Sequence, residues 1–185
     1  MKTIFFDIDT QIDFAYPAGA LYAPGAEEIL PLVAELNRRA PLVISTMDAH
    51  SEDDPEFKLY GHHCVAGTLG QRKPAATLIE ARALLTDGVG EARQIILEKQ
   101  NVDCFTNPLL APLLAEQRAD RYIVYGLVTD VCVRHAIFGL LKTGKRVELV
   151  ADAVRGFDQE KARKTIEEFR AGGGTVISAA DALTR

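Results

Sequence analysis

The chain predicts an α/β fold built on a mostly parallel sheet of about six strands, and three observations carry that prediction. Apolar, β-rich runs recur along the 185 residues. Stretches with helical spacing separate them. The runs are nearly continuous in Ile, Val, Leu, Phe and Tyr rather than alternating, as expected of strands covered by helices on both faces. Strands alternating with helices imply right-handed crossovers onto a parallel sheet.

Strands are read at 3–8, 42–46, 95–98, 121–127, 146–150 and 174–178. In 26–39 the positions Ile29, Leu30, Val33, Leu36 and Asn37 repeat every three to four residues, and Pro41 marks the exit. The helix of 108–119 opens with Asn107-Pro108, a cap followed by proline at the first helical position. In 131–143 the stripe is Val133, Ala136, Ile137, Leu140 and Leu141, closed by Gly144. The segment 158–171 opens at Asp158 and stops at Gly172-Gly173-Gly174. Between them, 47–74 reads as one long loop, and such loops in compact domains usually carry function. A chain of this length with no internal repeat or linker is expected to form one domain, 1–185.

Composition narrows the function. Hydrophobic residues at 48% and charged residues at 25% are globular values, and a formal net charge of −5 offers no basic stripe for nucleic acid. No apolar run reaches the roughly 18 residues of a membrane span, and Asp7 interrupts the only N-terminal run that could act as a leader. Three cysteines form no disulfide framework, which suits a reducing cytoplasm.

Three polar residues follow three of the strands: Asp9, Lys99 and Cys132. The carboxyl ends of parallel strands share one edge, where ligands of open α/β sheets bind. An acid/base, a cation and a thiol would then meet in one crevice, the inventory of a cysteine hydrolase. Cys132 stands where a strand turns into a helix, whose N-terminal N–H groups favour a thiolate and can hold an oxyanion. Asp9 can accept the thiol proton, and an ammonium at Lys99 would hold Asp9 in place. His135, one residue along from the helix stripe, points away from the thiol. In the long loop, Asp48, His50 and His63 have ligand chemistry for a divalent transition ion. Cys64 and Cys104 read as packing residues.

A different class stays open on these residues. Asp7-Ile8-Asp9-Thr10 is also similar to the opening of a haloacid-dehalogenase-type phosphatase, with magnesium held by a later acidic pair such as Asp152 and Asp158. That reading leaves Gln11, Asp13, Lys99 and Cys132 unexplained. A binding protein without turnover is the other alternative.

Taken together, Asp9-Thr10-Gln11-Ile12-Asp13-Phe14, Glu98-Lys99 with Phe105, His63-Cys64-Val65-Ala66-Gly67-Thr68 and the run Gly126 to Val133 resemble the isochorismatase-like cysteine hydrolases. Within that family the chain is most similar to the nicotinamidases, and the likeness runs in order through the whole sequence. The resemblance implies a three-layer αβα sandwich of Rossmann-like type and an Asp9–Lys99–Cys132 triad. It also implies a cis peptide between Leu127 and Val128 that turns the N–H groups of Val128 and Cys132 toward one oxyanion. Phe14 and Tyr60 would wall a planar ring, Tyr60 standing where nicotinamidases usually have tryptophan.

Asp48, His50 and His63 would hold zinc, manganese or iron, and no organic cofactor is implied. The loop between His50 and His63 is shorter than in typical nicotinamidases, and Glu56 occupies the place of another histidine. The expected activity is deamidation of a small carboxamide, most closely nicotinamide, through a thioester. The same triad acting on a carbamoyl, ureido or other linear amide is the alternative. The expected partner is that small molecule alone, apart from a second copy of the chain, since relatives are often oligomers.

Overall fold

The computed structural model describes residues 1–86 and 89–184; Arg185, the end of the expected domain span, lies outside them. Seven parallel strands form one sheet in the order β3-β4-β2-β1-β5-β6-β7. The strands are β1 Thr3–Ile8, β2 Val43–Asp48, β3 Arg82–Leu84, β4 Gln94–Lys99, β5 Arg121–Leu127, β6 Arg146–Arg155 and β7 Thr175–Ile177. Helices α1 Ile12–Ala15, α2 Leu30–Arg39, α3 Phe57–Tyr60, α4 Leu110–Gln117, α5 Arg134–Leu141, α6 Gln159–Ala171 and α7 Ala179–Leu183 accompany them.

The six expected strands are all present, and β3 is an addition. It is a three-residue edge strand with partly exposed side chains, too short and too polar to leave an apolar run. The long loop is also more ordered than its composition suggests. Strand β2 extends through Asp48, α3 forms inside the loop, and His50 makes a parallel bridge to Val65.

The central strands are buried along their whole length, β5 without exception, which explains their unbroken apolar runs. The stripe of α2 packs inward as read, Asn37 included. Asp158 caps α6 by accepting from the N–H groups of Glu160 and Lys161, which satisfies two of the donors a helix start leaves unpaired. Among the described residues, no helix is long and apolar enough to cross a membrane.

What this topology does for function is local. From β1 the chain builds outward to β2 and β4 on one side, then returns to lay β5, β6 and β7 on the other. The loops leaving β1 and β5 therefore part in opposite directions, and a crevice opens between them at the carboxyl edge. Close approach of the two strands requires Gly126, whose φ is 112°: a Cβ there would lie 2.2 Å from the Ile8 carbonyl oxygen.

Candidate active site

Asp9, Lys99 and Cys132 converge in this crevice. Asp9 leaves β1 with φ of 42°, a left-handed conformation that costs a non-glycine residue on the order of 1–2 kcal/mol. Its Oδ1 accepts from the Thr46 hydroxyl at 2.6 Å, and its N–H donates to the Thr46 carbonyl at 3.2 Å. Lys99, buried at the end of β4, places Nζ 2.8 Å from Asp9 Oδ2, 2.5 Å from Asp48 Oδ1 and 3.0 Å from the Asn101 carbonyl. Burial opposes its charge, but Asp48 and Asp9 outweigh it and hold the amine well above the ordinary lysine range. Lys99 is thus a fixed cation between two carboxylates.

Cys132 lies in a π-type turn over Thr129–Val133, which leads into α5. The Leu127–Val128 peptide bond before it is cis. The Cys132 sulfur is 3.8 Å from Lys99 Nζ, and it lies within 4.8 Å of carboxylate oxygens of Asp9 and Asp48. Here the structure departs from the expectation of a thiolate favoured by a helix terminus. Burial pushes the thiol well up, and Asp9 and Asp48 add to it against the pull of Lys99. The environment of Cys132 therefore favours the thiol form, with the Asp9 carboxylate close by.

Beside this cluster stands a set of metal-type donors. Ligand atoms of Asp48, His50 and His63 all lie within 4.8 Å of one another. Glu56 joins them, its Oε1 3.9 Å from Nε2 of both histidines. The other ring nitrogens are committed: His50 Nδ1 pairs with Asp54 Oδ2 at 3.0 Å, and His63 Nδ1 with the Gly61 carbonyl at 2.8 Å. That is how metal-ligating imidazoles are oriented, leaving the opposite lone pair free. Burial lowers His63, keeping its imidazole neutral. Asp48 Oδ2 and His50 Nε2 are buried without a hydrogen-bond partner, and such atoms need explaining. Two imidazoles and two carboxylates fit a divalent ion of borderline to hard character.

Glu56 therefore belongs to this donor set by position, while Glu52 and Asp53 are exposed. Burial raises the Glu56 carboxyl, and pushes Asp48 up to about 7 with Asp9 adding to it, against the pull of Lys99.

Cys132, Asp48, Glu56 and His63 line one small pocket, about 220 Å³ of empty space including its open mouth. Phe14, Tyr60 and His63 line it with Cys132, Val128 and Phe157. The Phe14 ring lies 5.4 Å from that of His63, and the Tyr60 ring 6.4 Å. Phe157 was not expected; it follows β6, which runs to Arg155, beyond the apolar stretch legible in sequence.

Other supporting residues also went unread. Gln11 donates to the carbonyls of Asp48 and Gln71 at 2.8 and 2.7 Å, and accepts from the Asp48 N–H at 2.7 Å, which fixes the donor loop against β1. Asp13 accepts from the N–H groups of Cys64 and Ala20 at 2.7 and 3.0 Å, and its carboxylate fills the space a Cβ on Gly70 would need. Asp54 orients His50. These are the polar residues of the opening motif and of the loop, and their role is to join the two. Cys64 and Cys104 are buried, as read, and burial raises both thiols, Cys104 to about 12. His135 is half-exposed, with Nδ1 4.0 Å from Asp103.

The phosphatase arrangement is not what the structure holds. Asp7, which that chemistry would need as an accessible nucleophile, is sealed and pairs with Lys73 at 3.2 Å. Asp152 accepts from the N–H of Ala179, and Asp158 is occupied as a helix cap.

Residues 3–181 match the isochorismatase domain family. A nicotinamidase of Acinetobacter baylyi is 25% identical over 95% of this chain and 92% of its own length. The pyrazinamidase of Pyrococcus horikoshii, solved in complex with zinc, superposes with a TM-score of 0.84 at 27% identity, over 96% of this chain and 99% of that one. An isochorismatase-like hydrolase from Alkaliphilus metalliredigens shares the fold with a TM-score of 0.85 at 21% identity, over 100% and 98% of the two chains. The chain belongs to the isochorismatase family.

Proposed function

We propose that this protein is a cysteine-dependent amidohydrolase that converts a small carboxamide, with nicotinamide the best fit, to the carboxylate and ammonia. The observation that carries the reading is that Cys132, Asp9 and Lys99 meet at the foot of a small aromatic-walled pocket. The nicotinamidase and pyrazinamidase relatives support the substrate class.

In this reading Asp9 takes the proton of Cys132 as sulfur attacks the amide carbon. The N–H groups of Val128 and Cys132 receive the oxyanion. As the C–N bond breaks, Asp9 returns the proton to nitrogen and ammonia leaves. Asp9 then takes a proton from water, whose oxygen attacks the thioester; as the C–S bond breaks Asp9 returns that proton to sulfur, freeing the acid and restoring the thiol. Lys99 keeps the Asp9 carboxylate oriented through both halves. Phe14 and Tyr60 hold a planar ring between them. Asp48, His50, His63 and Glu56 would hold a divalent metal, which when bound supplies an anchor for a ring nitrogen lone pair.

One observation favours a second reading, the same triad on a carbamoyl, ureido or other linear amide. A second carboxylate, Glu56, neutralises more of the ion's charge than an imidazole does and weakens its pull on a ring nitrogen. Three free cysteines suit a cytoplasmic enzyme in either case.

Ammonia release from nicotinamide, measured before chelation, after it and after metal restoration, tests the proposal. Chelator-sensitive release is expected. A folded protein silent on nicotinamide but active on a linear amide would replace the first reading with the second.

A further inference from the structure

Two residues before Asp9, within β1, Asp7 anchors a second buried acid–lysine pair that the chemistry above does not use. Asp7 and Lys73 are both sealed from solvent, with Nζ 3.2 Å from Oδ2. Around Asp7 every valence is filled. Its Oδ1 accepts from the Thr10 hydroxyl, and its Oδ2 from Asn37 Nδ2 at 3.0 Å and the Ser45 hydroxyl at 3.2 Å. Asn37 is fixed in turn by the Tyr125 hydroxyl at 2.6 Å and by the Thr77 carbonyl at 2.6 Å.

Lys73 does more than neutralise Asp7. Its Nζ donates to Thr10 Oγ1 at 3.2 Å and reaches the Thr46 carbonyl at 3.5 Å. Thr10 directly follows Asp9. Thr46 is the residue whose carbonyl takes the Asp9 N–H and whose hydroxyl holds Asp9 Oδ1. One ammonium thus grips both flanks of a residue held at φ of 42°. A backbone in that region persists only where its surroundings over-determine it. A buried ion pair is weak evidence for stability, since an apolar pair of similar volume often does as well. Its connections are what set this one apart.

We propose that Lys73, anchored by Asp7, is a positioning residue for Asp9: it clamps Thr10 and Thr46 so that the carboxylate stays aimed at Cys132. The proposal rests on the role assigned to Asp9 above, and it is absent from the pocket lining, so it acts on the chemical step and not on substrate binding.

The test compares wild type with the double variant Asp7→Asn, Lys73→Met, which removes both charges together and leaves neither stranded. Three readouts are taken: the denaturation midpoint, the kcat and KM of amide hydrolysis, and site-resolved alkylation of Cys132 by iodoacetamide at one pH. With the clamp gone, kcat is expected to fall about 10- to 100-fold, the scale of a misplaced catalytic group, with KM little changed. Cys132 alkylation should move from the wild-type rate toward that of an Asp9→Asn control, while Cys64 and Cys104 stay as slow as in wild type. A stably folded double variant with wild-type kcat and wild-type Cys132 alkylation overturns the proposal.

Should the double variant not fold, Thr10→Val decides, since it keeps the ion pair and removes the hydroxyl through which Lys73 holds Thr10. A loss in kcat, with Cys132 alkylation shifted toward the Asp9→Asn rate, supports the clamp, and wild-type values of both overturn it. Should wild type hydrolyse no amide, the proposed activity fails by itself, and alkylation still decides the clamp.

Discussion

In β1 and just past its end stand two aspartates two residues apart, each buried and each paired with a lysine, and the two pairs are built differently. Asp7–Lys73 is closed: two hydroxyls, the Asn37 amide and the ammonium fill the oxygens of Asp7. Asp9–Lys99 is open. Lys99 is shared with Asp48, a thiol stands 3.8 Å from its nitrogen, and neighbouring donors at Asp48 Oδ2 and His50 Nε2 lack hydrogen-bond partners. Both pairs bear the desolvation cost of buried charge, several kcal/mol per ion even after relaxation. Only one spends it on groups left free to react. Residue type does not separate a scaffold from a reactive site; unfilled valence beside a pocket does.

Mutation can break or sharpen that contrast. The largest effect is expected for Cys132→Ala, which removes the nucleophile and should lower ammonia release by about 10⁴-fold or more while leaving the fold intact. Next is Lys99→Met, which leaves Asp9 and Asp48 as two buried carboxylates without their cation. It should cost about 3–5 kcal/mol of stability by denaturant titration and about 10²–10³-fold in kcat. Lys73→Met should lose similar stability but retain more turnover than Lys99→Met; equal losses of kcat would erase the distinction between the two pairs.

Smaller effects should appear at the donor set, read as metal content of purified protein after dialysis against a defined chelator. Glu56→Gln keeps the shape of the side chain and removes its charge, and should weaken retention of a bound divalent ion. Unchanged metal content would show that Asp48, His50 and His63 suffice alone. Asp54→Asn, which touches only the far nitrogen of His50, should cost about 10- to 100-fold in metal affinity, as expected for a group that orients a ligand.

Much of this was legible in the sequence, and the gaps have physical causes. Strands buried on both faces leave unbroken apolar runs, so six of the seven were readable; β3, three residues at an exposed edge, leaves none. Asp9, Lys99 and Cys132 were readable because each stands at or shortly past the end of such a run, and topology brings run ends together. Asp48, His50 and His63 were readable by ligand chemistry.

Glu56 was singled out only by the resemblance, and Asp54 was not separable from Glu52 and Asp53, because only the folded loop decides which carboxylates turn inward. Phe157 escaped because β6 continues past its apolar stretch into Ala151-Asp152-Ala153-Val154-Arg155. The pairing of Asp7 with a lysine 63 residues beyond Thr10 leaves no local signal at all.

A covalent bond between Cys132 and the substrate is the step on which the proposed activity depends. Wild-type protein mixed with nicotinamide, quenched in acid during turnover and mapped by peptide mass, measures this directly. The expected result is a nicotinoyl thioester on the peptide that carries Cys132, absent from Cys132→Ala. Ammonia release that continues undiminished in Cys132→Ala, with no acyl group on the wild-type cysteine, would contradict it.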